Sequence, residues 1–215
     1  MAGRTELRSD CADSDDESIV EHTHRSFHFG SPPRPAVVKM VPLMVSDATD
    51  LMQLLDSPDT VTHLLENLTG ELVVAEVVRQ YSVMAGQDNS LGVAAGHAMT
   101  HRISVLKGRN SDEPYLYAES TFVPERLPEV VSAQLERTSD PIGRVLVANG
   151  LGMKREPLPQ PEGAGADVPS TDVELASEIV WSRAYRLTID GQPVFVIHEW
   201  FLRSVLDALD RHARR

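Results

Sequence analysis

A single cysteine, Cys11, is all the sulfhydryl chemistry this 215-residue chain possesses. It excludes an internal disulfide framework and a thiolate zinc cluster, and fits a reducing compartment, so the cytoplasm is the expected location. Positive charge is also scarce: 20 Lys and Arg stand against 32 Asp and Glu, a formal net charge of -12. Nucleic acid and anionic membrane surfaces reward a basic face, so neither is an expected partner. A small anionic ligand stays compatible, because one or two arginines in a pocket suffice to hold it. No apolar run reaches the roughly 18 residues of a membrane span, and the N-terminus lacks the basic-then-apolar layout of a signal peptide. Aromatic residues are few, at 5%.

What is present suggests one domain with tails. Residues 1–45 are acid-rich and lack apolar periodicity, as in Asp13-Ser14-Asp15-Asp16-Glu17. Such a stretch buries too little surface to offset chain entropy, and is expected to be a disordered tail. His22, His24 and His28 lie in it without an acidic or cysteine partner at ligand spacing, and are not read as a metal site. Residues 46–215 are expected to form the domain, interrupted by a flexible Pro- and Gly-rich insertion at about 157–172.

Within that domain, helices are predicted over Asp47 to Asp56 and through Leu64, Leu65 and Leu68, the second opened by Ser57-Pro58 and stopped by Gly70. Strands are predicted over Glu71 to Val83, His97 to Leu106, Pro114 to Val123, Glu174 to Ile189 and Val194 to Leu202, with Asp190-Gly191 turning the last hairpin. Further helical spacing runs through Pro128 to Arg137, after Asp140-Pro141, and from about Ser204 to Arg211. Hairpin-joined strands with helices to one side predict an α+β domain built on an antiparallel sheet.

Two ionisable residues stand inside strand-like segments. Glu199 alternates with Phe195, Ile197 and Phe201, and a carboxylate in that company either rises in pKa or finds a partner. The bland reading is an ion pair with Arg183 or Arg186 across the hairpin. Arg102 alternates with Thr100 and Ser104, and either lines a polar pocket that grips a carboxylate or lies on a solvated face. Replacing either by alanine is expected to remove activity and leave the fold intact.

Leu54-Leu55-Asp56-Ser57, Thr62, Leu65-Glu66, Gly70, Arg102, Phe122-Val123-Pro124, Pro141-Ile142-Gly143-Arg144-Val145-Leu146, Trp181-Ser182-Arg183 and Gly191-Gln192-Pro193 through Glu199-Trp200-Phe201-Leu202 follow one another in order. As an ordered set, spanning about 51–202, they resemble chorismate pyruvate-lyase. The resemblance implies an antiparallel sheet with an internal ligand pocket covered by flaps. It implies cofactor-independent elimination of pyruvate from chorismate to give 4-hydroxybenzoate, by a monomer or homodimer. It further implies that Arg102 binds the ring carboxylate, that Glu199 contacts the ring hydroxyl, and that backbone N–H groups of Val61 and Ile142 help hold the ligand. Whether Glu199 donates as an acid or accepts as a carboxylate stays open.

The chain departs from the family's better-known bacterial members at Glu119-Ser120, where they carry Gly-Arg. Glu119 would be unfavourable beside an anionic substrate if it faced inward. The alternatives are the same scaffold recruited to another biosynthetic reaction, such as a dehydratase or cyclase, and a non-catalytic small-carboxylate sensor, since the architecture also resembles the effector-binding domain of certain transcription regulators.

Overall fold

The computed structural model describes residues 60–159 and 177–214. The predicted tail, the helix over Asp47 to Asp56, the Ser57-Pro58 cap and nearly all of the Pro- and Gly-rich insertion lie outside these residues, as do His22, His24 and His28.

The described residues form six strands, β1 Val73–Met84, β2 Ala98–Gly108, β3 Pro114–Phe122, β4 Met153–Pro157, β5 Ile179–Ile189 and β6 Gln192–Leu202, all but β4 from valine-rich or alternating segments. They pair antiparallel in the order β1-β2-β3-β6-β5-β4. Two of these differ from the sequence expectation. β4 was not predicted, because its five residues, Met-Lys-Arg-Glu-Pro, are mostly charged and carry no β-branched residue. β5 begins at Ile179 rather than Glu174, and Ser177 and Glu178 form a turn.

Four helices are described: α1 Val61–Thr69, α2 Glu129–Arg137, α3 Ile142–Ala148 and α4 Arg203–Ala213. Thr60 caps the start of α1, its hydroxyl accepting from the His63 amide at 3.2 Å. Gly70 ends that helix in the left-handed conformation, φ 75°.

All four helices pack on one face of the sheet. Leu65 of α1 and Val205 of α4 meet Ala75, Leu106, Leu116, Ala118 and Phe201 in one cluster. Val131 and Leu135 of α2 and Val145 and Leu146 of α3 meet Phe122, Leu187 and Phe195 in another. The strand residues of both clusters share a face by register, since Leu116 lies opposite Phe201, Phe122 opposite Phe195 and Leu187 opposite Phe195. Polar side chains occupy the same face between the two clusters.

Candidate functional site

Between those clusters the sheet's inner face carries two rows of residues. One runs Arg102, Ser120, Ile197, Tyr185 across β2, β3, β6 and β5; the next runs Ser104, Ala118, Glu199, Arg183. All but Arg183 line the floor of a cleft of about 560 Å³, open mouth included, whose walls are Thr60 to Thr62 at the start of α1 and Pro141 to Gly143 at the start of α3. Arg102, Glu199, Val61 and Ile142, the four residues singled out from the sequence, all line it.

The walls are tied together through Glu66 and Arg144. Arg144 of α3 donates to the Glu66 carboxylate of α1 and to the Val73 carbonyl at 2.9 Å, while Glu66 accepts from the Val73 amide at 3.0 Å. A Cβ on Gly143 would stand 3.0 Å from the Thr60 side chain, so glycine lets α3 approach the start of α1 closely.

Arg102 is not on a solvated face; it is 1% exposed. Its Nη1 donates to the Leu135 carbonyl at 2.6 Å and its Nη2 to those of Asp140, at 3.2 Å, and Thr138, at 3.5 Å. The side chain thus latches the α2–α3 connection to the sheet. Its Nε is buried with no hydrogen-bond partner, so a donor is still available to an incoming anion. Burial lowers the Arg102 pKa, with the Asp140 carboxylate countering.

Glu199 is 3% exposed. Arg183 Nε donates to one carboxylate oxygen at 2.6 Å and the Tyr185 hydroxyl to the other at 2.8 Å. Of the two cross-hairpin partners open in the sequence, Arg183 is the one that pairs; Arg186 pairs instead with Glu156, at 2.7 Å. With a donor on each oxygen, Glu199 is arranged as an acceptor. Burial works against the Arg183 charge, but the Glu199 carboxylate and the Tyr185 hydroxyl together raise the Arg183 pKa in spite of it. Burial, then the Glu199 charge, push the Tyr185 pKa well up, so its hydroxyl keeps its proton.

Tyr185 and Arg155 line the cleft without having been singled out from the sequence. The available signal was the alternation Trp181, Arg183, Tyr185, Leu187 along β5; for Arg155 there was none, its strand having been missed. Glu119 lies on the opposite face, opposite His198 in register and 3.8 Å from the His101 ring, so it does not face the cleft. Among the described residues no group of three or more His, Cys, Asp and Glu is placed to hold a metal ion.

Residues 56–209 match the family model described as chorismate pyruvate-lyase, Rv2949c-like. The chain belongs to that family. A chorismate pyruvate-lyase of Mycobacterium tuberculosis is 30% identical over 164 residues, covering 73% of this chain and 81% of that protein. One of Mycobacterium leprae is 29% identical over 170 residues, covering 75% and 78%. Among solved structures, the effector domain of PhnF from Mycobacterium smegmatis is similar, with a TM-score of 0.44 and 12% identity over 68% of this chain and 90% of that one. That likeness is too loose to carry a function. In this member of the lyase family, then, the inner face of the sheet presents an arginine donor, a doubly held carboxylate and the first residues of two helices to one cleft.

Proposed function

We propose that this protein is a chorismate pyruvate-lyase, eliminating pyruvate from chorismate to leave 4-hydroxybenzoate. The observation that carries the reading is the convergence of Arg102, Glu199, Val61 and Ile142 on one cleft in a chain of this family. Arg102 binds the ring carboxylate through its free Nε–H. The amides of Val61 and Ile142 assist; each opens a helix and so has no acceptor within it. Glu199 accepts from the ring hydroxyl, with Arg183 and Tyr185 fixing its direction.

In the reaction the carbon–oxygen bond to the enolpyruvyl arm breaks, the hydrogen on the hydroxyl-bearing ring carbon leaves, and the enolpyruvate takes up a proton to become pyruvate. The ring gains aromaticity, so the driving force belongs to the substrate, and no cofactor is required. The protein's part is to orient the ring, exclude water and assist one proton movement. The helix starts over the cleft act as flaps that close on the substrate. Glu119, whose position bore on the choice of substrate, faces away from the anion.

Incubation of the purified protein with chorismate, without added metal or cofactor, is expected to yield 4-hydroxybenzoate and pyruvate in equal amounts, well above spontaneous decay. Glu199→Gln is expected to lower kcat by about 100-fold or more. Absence of product with the unaltered protein would overturn the reading.

A further inference from the structure

The substrate proposed above carries two carboxylates, and Arg102 answers only one. Arg155 projects from β4, the strand at the sheet edge, and lines the same cleft. Its strand lies four places from that of Arg102, past β3, β6 and β5. At about 4.8 Å per strand, roughly 19 Å separates the two backbones, and the cleft lies between them. Arg155 stands opposite Leu187 in register, and its guanidinium carbon is 5.9 Å from the centre of the Tyr185 ring. Tyr185 in turn donates to Glu199. The third arginine nearby, Arg183, is not part of the lining and is engaged with Glu199 at 2.6 Å. A cleft with an arginine at each end, and a hydroxyl-directed carboxylate between them, suits a ligand with a carboxylate at each end.

We propose that Arg155 binds the carboxylate of the enolpyruvyl arm and is the residue by which the site distinguishes substrate from product. The inference rests on the lyase reading for the identity of the ligand. As the ether bond breaks, negative charge develops on the departing enolpyruvate, and a guanidinium on its carboxylate stabilises that charge. The aromatic product has lost the arm. Arg102 and Glu199 therefore touch substrate and product alike, whereas Arg155 touches the substrate and the leaving pyruvate alone.

The test compares two quantities in Arg155→Gln: KM for chorismate and the Kd of 4-hydroxybenzoate, the second by isothermal calorimetry. We expect KM to rise about tenfold or more, with the Kd of 4-hydroxybenzoate within about twofold of the unaltered protein. Arg155→Lys keeps the charge but loses the planar fork, and should show a smaller rise in KM. An unchanged KM would overturn the assignment; so would parallel losses for both ligands, which would mark Arg155 as a wall of the cleft only. Should Arg155→Gln fail to fold, Arg155→Met is read in the same two ways. If the unaltered protein does not turn chorismate over, the lyase reading fails, and equilibrium binding of chorismate against 4-hydroxybenzoate still decides the role of Arg155.

Discussion

Arg102 has a structural task beside the binding role proposed for it, and the two have different consequences for mutation. Its Nη atoms satisfy three carbonyls of the α2–α3 connection, while its Nε faces no partner. Truncation therefore strands buried acceptors, each at about 1–3 kcal/mol. The sequence alone suggested that Arg102→Ala would leave the fold intact; the latch argues otherwise. Arg102→Ala is expected to cost roughly 3–5 kcal/mol in denaturant unfolding and to abolish binding of 4-hydroxybenzoate. A variant as stable as the parent would show that the carbonyls find other donors. Glu199→Ala carries a similar burden, since it would leave Arg183 in low dielectric without its carboxylate. Glutamine keeps the shape and is the fairer probe of chemistry.

At the scale of elements, the β5–β6 hairpin decides the site. Asp190 and Gly191 both adopt positive φ, 50° and 78°, as the two-residue turn between Ile189 and Gln192 requires. Gly191→Ala is expected to cost about 1 kcal/mol, lowering Tm without removing lyase activity. Extrapolated from that turn without interruption, the ladder would set Glu199 opposite Ser182. A bulge between Leu187 and Thr188, next to Pro193, advances the register by one, so that Arg183 faces Glu199 and Tyr185 faces Ile197. That is why the sequence showed the buried carboxylate but left its partner open between Arg183 and Arg186: turn chemistry is local and readable, whereas a bulge depends on how the strand packs. The strands with β-branched alternation and the helices with clear apolar spacing were legible within a few residues. β4 was not, since a short charged edge strand has no periodicity to read, and Arg155 was lost with it.

For the molecule as a whole, the outer face of the sheet contributes a pH dependence of stability. His101 contacts Thr121 at 2.9 Å and lies 3.8 Å from Glu119. Burial lowers its pKa below the ordinary histidine value of 6.5, with Glu119 only partly countering. The folded state then binds this proton less readily than the unfolded chain, so the stability is present above pH 6.5 and is lost as the pH falls through the lowered value. Tm should fall between pH 7 and 5, and His101→Gln should flatten that part of the profile; an unchanged slope would remove His101 as its source. The pairing of β3 with β6 has a kinetic consequence. β3 ends at Phe122 and β6 begins at Gln192, with β4, β5, α2 and α3 among the described elements between them in the chain. The seam where Ala118 meets Glu199 and Ser120 meets Ile197 runs through the middle of the cleft floor. Closing so long a loop is entropically costly and slow. A folding chain can hold β2 against β3 and β5 against β6 as separate hairpins, one carrying Arg102 and the other Glu199, and the cleft floor is complete only when the two dock.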